Sequence, residues 1–286
     1  MTGDFATLTQ PEIVSTGDAA CGHRIVFDDR SAIWSVHGGY LAAAALRAAG
    51  QASSCERPMS LSIQFLRAVA VGEMDLCCEA LRRANGAECQ EVRLQREGKL
   101  MALAHVWAAD GREGPRFSPA QMPPAPHPDE LRPYEETLGA REAPRPKFFE
   151  AFEDRPINRV DPMSRRNREA RSLRWLRYRD MPVPDSPYLR AALTLPLIDL
   201  LGVSAASIGY GANIVTSLIP TVQLSVHFYD LSDVDGWLLG DAHAEHVADG
   251  IINSRVRVWS ERGALVAQGL TQMISKPGEG AFVQAK

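Results

Sequence analysis

Residues 220–228 read Pro220-Thr221-Val222-Gln223-Leu224-Ser225-Val226-His227-Phe228. Leu224, Val226 and Phe228 alternate with Gln223, Ser225 and His227, the two-residue period of a strand with one face in a core. Residues 58–65, Pro58-Met59-Ser60-Leu61-Ser62-Ile63-Gln64-Phe65, echo it, with Leu61, Ile63 and Phe65 set against Ser60, Ser62 and Gln64. The residues after each stretch match as well. Asn85-Gly86 and Asp249-Gly250 are two-residue hairpin signals, because the turn needs positive φ that Gly adopts freely and Asn or Asp tolerates. Glu97-Gly98 and Arg262-Gly263 then mark a second hairpin in each copy. The pattern predicts one antiparallel meander made twice.

A helix precedes each meander. Residues 41–49 form an Ala/Leu run with the best helix propensity in the chain, and its small side chains suit burial against a sheet. Gly50 is placed to end it. Residues 188–201 read as the second helix, with a kink expected at Pro196. Between the copies the composition turns to Pro, Gly and charge, with Pro123-Pro124-Ala125-Pro126-His127-Pro128 unable to hold a ladder or a helix. The expected organisation is an N-terminal unit over residues 1–112, a Pro-rich linker over 113–146 and a C-terminal unit over 147–286.

The 45% apolar and 23% charged residues are those of a globular protein, and the net charge of −4 gives no basic face for nucleic acid. The five cysteines, Cys21, Cys55, Cys77, Cys78 and Cys89, lack metal spacing and read as reduced structural thiols. Asp4 stands near the start with no basic-then-apolar leader, and Pro196 and Asp199 interrupt the best apolar run, so no membrane span is expected. A soluble cytoplasmic protein is the expectation. The arginine-dense residues 159–179 read as a solvated loop and strand face, although they would also suit a nucleotide-bearing substrate. No Gly-x-Ser-x-Gly elbow or phosphate loop occurs, and His243 and His246, three apart in an extended segment, are expected to face opposite ways. No metal and no cofactor are implied.

His37-Gly38-Gly39 opening the alanine-rich helix, Phe65-Leu66-Arg67, Pro220-Thr221, Trp237-Leu238-Leu239, and Gly263-Ala264-Leu265-Val266-Ala267 followed by Gln272 together resemble the acyl-CoA thioesterase II type of thioesterase. The resemblance spans nearly the whole chain apart from the linker. It implies an α+β double hotdog fold: two tandem units, each an antiparallel sheet wrapped around a central helix. It also implies hydrolysis of acyl-CoA thioesters to free acid and CoA by direct attack of water, in fatty acid metabolism. A non-hydrolytic acyl-CoA or acyl-carrier binding protein is the alternative, and two chains pairing through their sheets as a homodimer is a further arrangement.

The resemblance implies a site as well. A helix N-terminus carries unpaired N–H groups that can polarise a thioester carbonyl, which makes His37, Gly38 and Gly39 the oxyanion and substrate-binding candidates; close packing of helix on sheet is the other reading of the glycines. The family activates water with an Asp, a Thr and a Gln. Carried over, the Asp falls on Gln223, the Thr on Glu245 or His243 according to the direction of counting, and the Gln on Thr271, with Gln272 one place later. Gln223 cannot be a carboxylate base, which leaves Glu245 or His243 to take the proton. Only a β-bulge would bring Gln272 to the expected face. Acyl chain length and the choice between CoA and a carrier protein are not written in these residues.

Overall fold

The structure is a computed structural model that describes residues 5–14, 22–137, 145–158, 169–210 and 217–277. In chain order come a short helix α1 (Phe5–Thr9), strands β1 (Glu12–Ile13) and β2 (His23–Phe27), the long helix α2 (Gly38–Ala52), and strands β3 (Arg57–Phe65), β4 (Gly72–Ala84), β5 (Ala87–Arg96) and β6 (Lys99–Ala109). A one-turn helix α3 (Tyr134–Thr137) precedes β7 (Phe152–Pro156) and β8 (Arg171–Tyr178). Helices α4 (Pro187–Ala192) and α5 (Leu195–Tyr210) lead to β9 (Ser217–Leu218), β10 (Thr221–Phe228), β11 (Leu238–Ala248), β12 (Ile251–Ser260), β13 (Leu265–Ile274) and β14 (Lys276–Pro277).

Among the described residues, twelve strands make one antiparallel sheet in the order β1-β2-β4-β5-β6-β3-β10-β13-β12-β11-β8-β7, while β9 and β14 pair separately. The two echoing stretches, β3 and β10, meet at its centre, with Leu224 opposite Ile63 and Val226 opposite Leu61. Those pairs exchange under a two-fold axis through Ser62 and Ser225, whose hydroxyls are 3.2 Å apart. Leu61, Ile63, Leu224 and Val226 are buried on the helix side and join residues of α2 and α5 in one continuous core. This is the α+β double hotdog: each half wraps a helix, and the halves share sheet and core. The turns follow the local chemistry, with Asn85, Gly86, Glu97, Gly98, Asp249 and Gly250 all at positive φ.

Both helices differ from the sequence expectation. Helix α2 runs through Gly50 to Ala52 with Ser53 as its C-cap, so Gly50 is interior. The reason is space: a Cβ on Gly50 would stand 2.5 Å from the Tyr188 ring of α4. In the second half the expected single kinked helix is two helices, and α5 reaches Tyr210. The break falls at Leu193-Thr194, before Pro196, which sits in the first turn of α5 where its missing N–H is no loss. The run Pro187–Gly209 is long and apolar enough to cross a membrane by composition, but 78% of its most apolar window is buried inside the fold, as in a core helix.

The Pro-rich segment between the halves lies against the outer face of the second half. Ala120, Met122, Ala125 and Leu131 pack on Leu173, Trp175, Trp237, Leu239 and Trp259, and the Trp175 indole donates to the Pro126 carbonyl at 2.9 Å. The described arginines of the dense segment are paired: Arg171 with Asp241, Arg174 with Asp154, Arg177 with Glu153 and Arg179 with Glu135. Residues 159–168 and Cys21 lie outside the described residues. Cys55, Cys78 and Cys89 are free thiols, but Cys77 is disulfide-bonded, which corrects the expectation of reduced thiols at that position.

Candidate active site

The N-terminus of α2 points at the first turns of α5. A Cβ on Gly39 would lie 2.4 Å from the Pro196 Cα, so the helices touch backbone to backbone there, and only glycine permits it. That contact delivers Asp199, one turn further along α5, to the end of α2. Asp199 is 3% exposed. Its Oδ2 accepts from the Gly39 N–H at 3.1 Å and faces His37 Nε2 at 3.4 Å, and its Oδ1 accepts from the Thr221 hydroxyl at 2.8 Å. An ionised carboxylate has about four acceptor positions. Three donors surround this one, so a position is left for one more donor, such as a water.

His37 caps α2: its Nδ1 accepts from the Gly39 N–H at 3.2 Å. The neutral ring therefore carries its proton on Nε2, toward Asp199. Burial lowers the His37 pKa, with the Asp199 charge opposing, and the ring stacks on Phe148 at 4.4 Å. Gly39 thus gives its N–H to His37 and Asp199. Gly38, half-buried, is the first residue of α2 and has no intrahelical acceptor for its N–H. A Cβ on Gly38 would stand 2.7 Å from Asp199 Oδ2 and 2.9 Å from the Phe65 ring, so the missing side chain lets the carboxylate and the ring close in on the end of α2.

β13 runs regularly through Thr271 and Gln272, so Gln272 stays off the face that the sequence reading required of it, and the bulge lies in β10 instead. Thr221 pairs with Met273 and Gln223 with Gln272, the register slipping between them. In a regular strand Thr221 and Gln223 would share a face. The bulge instead leaves Thr221 turned in toward Asp199, and puts Gln223 and Gln272 opposite each other on the outer face. Gln223, Glu245, Thr271 and Gln272 line one cavity of about 320 Å³ together with Ser225, Asn253, Ser254 and Leu270. The Thr271 side chain points inward, onto Gly202 of α5. His243 Nε2 is 3.0 Å from Asp241 Oδ1, and Glu245 accepts from Arg255 at 2.7 Å. A second bulge, between Ala244 and His246, sets His243 opposite Arg255 and His246 opposite Asn253. The two histidines therefore share a face, contrary to the strand expectation, yet no metal-binding group forms among the described residues. Burial pushes the Cys78 thiol up to about 12, far from a nucleophilic thiolate.

The family described as acyl-CoA thioesterase N-terminal domain matches residues 28–109, and the one described as acyl-CoA thioesterase C-terminal domain matches residues 119–274. The chain belongs to the acyl-CoA thioesterase family. Among solved structures, this thioesterase chain is similar to a hot dog fold protein of unknown function from Alicyclobacillus acidocaldarius, with 21% identity, a TM-score of 0.79, and coverage of 96% of this chain and 99% of that one. It is also similar to the acyl-CoA thioesterase II TesB2 from Mycobacterium marinum, with 20% identity, a TM-score of 0.77, and coverage of 96% and 98%. A more distant fold likeness is the dehydratase domain of PpsC from Mycobacterium tuberculosis in complex with C12:1-CoA, with 16% identity, a TM-score of 0.52, and coverage of 96% and 100%. No curated protein matches the chain.

Asp199 and Thr221 are the residues that motif counting along the thioesterase chain missed. The signal was a lone carboxylate in the most apolar helical run, which reads at first only as an obstacle to a membrane span. The two-fold axis makes the asymmetry plain. Four residues before Ser225 is Thr221, and four before Ser62 is Pro58, at a matching bulge between Pro58 and Ser60. The first half repeats the bulge with a proline, which has no hydroxyl to offer.

Proposed function

We propose that the chain hydrolyses acyl-CoA thioesters to free acid and CoA by direct attack of water. The observation that carries this reading is the buried Asp199 carboxylate, held by Thr221 and by the end of α2, in close approach to Gly38. Asp199 takes a proton from water; the resulting oxygen nucleophile adds to the thioester carbonyl. The Gly38 N–H, at the positive end of α2, receives the developing oxyanion. Collapse expels the CoA thiolate, and the proton returns to it. Thr221 orients the carboxylate, and half-buried Phe65 walls the approach. The acyl-CoA bound in the PpsC dehydratase domain supports the same ligand class here. The binding-only alternative rested on Gln223 in place of a base, and Asp199 supplies a carboxylate from α5 instead.

The test is release of free thiol from acyl-CoAs of several chain lengths. Asp199→Asn is expected to lower kcat by about 10²–10⁴-fold, the contribution of a general base, with the chain still folded. A second reading places the chemistry in the outer cavity that gathers Gln223, Glu245, Thr271 and Gln272. Glu245→Gln and His243→Ala decide between them: loss of turnover in either, with Asp199→Asn active, moves the site to the outer face.

A further inference from the structure

A histidine that caps a helix usually has one ring nitrogen in solvent. His37 does not: it is 8% exposed, with Phe148 stacked on its ring, the Gly39 N–H on Nδ1 and Asp199 Oδ2 facing Nε2. Both nitrogens are therefore committed, and in opposite senses, one as acceptor and one as donor. We propose that His37 is the positioning residue of the site, and that its protonation closes the site at low pH by breaking the cap and drawing Asp199 into an ion pair. The inference rests on Asp199 being the base.

A second proton can go only to Nδ1. It would set that nitrogen's new N–H against the Gly39 N–H, breaking the cap, and would turn the Nε2 contact into an ion pair that makes Asp199 a weaker base. Gly38 lies between these two groups, so the oxyanion donor and the base are disturbed together. Asp199, from α5, is the charged group that acts on the His37 ring; Phe148 and Tyr40 pack near it as aromatic surfaces, and Asp28 and Arg30, paired with each other, act on Tyr40 instead. Burial lowers the His37 pKa from 6.5. The neutral, competent ring thus persists below the pH at which an exposed histidine would charge, and activity falls as pH drops through the lowered value.

Two substitutions separate the nitrogens. In H37N the amide oxygen replaces Nδ1 and keeps the cap; in H37Q the amide nitrogen replaces Nε2 and keeps the donor toward Asp199. Thermal unfolding and kcat against pH are measured for both and for the unaltered chain. The expected result is a crossing: H37N keeps the higher Tm yet loses kcat by about tenfold or more, whereas H37Q loses more Tm and less kcat. The acid limb becomes shallower in both. If kcat simply follows Tm through both variants, and the acid limb stays in place, the proposal is overturned. Imidazole ¹⁵N NMR gives a readout independent of turnover. It is expected to show the Nε2–H tautomer near neutrality, and a His37 midpoint that falls further in D199N, because the Asp199 charge raises it. An unmoved midpoint overturns the proposal even if thiol release proceeds; an intact coupling in a chain that releases no thiol supports it and strikes the hydrolysis reading alone.

Discussion

Gly38 and Gly39 are adjacent, and what surrounds each decides a different property. A methyl on Gly39 meets Pro196 backbone at 2.4 Å, and neither helix can yield without moving the other. A methyl on Gly38 meets side chains, the Asp199 carboxylate and the Phe65 ring, which can shift by a rotamer. Gly39→Ala is therefore expected to give insoluble or unfolded protein. Gly38→Ala is expected to fold with an overpacking penalty of about 1–3 kcal/mol, but to lose about 100-fold in thiol release, the scale of a misplacement of about 1 Å at a reacting centre. Circular dichroism and an activity assay on both variants check this pair; a folded, fully active Gly38→Ala would remove the close approach of Asp199 to Gly38 from the mechanism. Thr221→Val probes the other side of the carboxylate. It keeps the side-chain volume but leaves Oδ1 without its donor, and a fall in kcat with little change in KM is the expected result.

The elements show why strands were easier to read than helices. Alternation in residues 58–65 and 220–228, with positive-φ pairs such as Asn85-Gly86, is local information, and strands, hairpins and their duplication were all legible from it. Gly50 was not, since its reason lies on another helix. It reads as a helix end, yet α2 continues through it because the Tyr188 ring, whose hydroxyl donates to the Cys55 carbonyl, needs the room. Asp199 was hidden likewise: its partners come from residues 37–39 and 221, and no motif spacing within one half could bring them together. The bulge in β10 hid Thr221, since one slipped residue reverses the face of every residue beyond it. Gly50→Ala is expected to destabilise the chain by about 1–3 kcal/mol through overpacking, measured by denaturant unfolding. Tyr188→Ala should relieve part of that loss in the double variant. If instead the two losses simply add, Gly50 is not there to admit Tyr188.

At the scale of the molecule, one sheet and one core run through both halves, and so does the candidate site. Residues 1–112 bring the end of α2; residues 113–286 bring Asp199 and Thr221. Cutting between them would expose the inner edges of β3 and β10, each a row of unpaired backbone groups, together with the buried faces of α2 and α5. Each piece expressed alone is therefore expected to aggregate. Co-expressed, the two are expected to pair through β3 and β10, with Leu61 and Ile63 meeting Val226 and Leu224, and to regain thiol release as a one-to-one complex. Because Pro58, which has no hydroxyl, occupies the position related by the axis to Thr221, the reconstituted complex should carry a single site. Asp199→Asn in the second piece should then abolish turnover instead of halving it. A soluble 113–286 piece that hydrolyses acyl-CoA by itself would show that the end of α2 takes no part in the chemistry. Half-activity after Asp199→Asn would point to a working site in the first half, where Pro58 stands in place of the Thr221 hydroxyl.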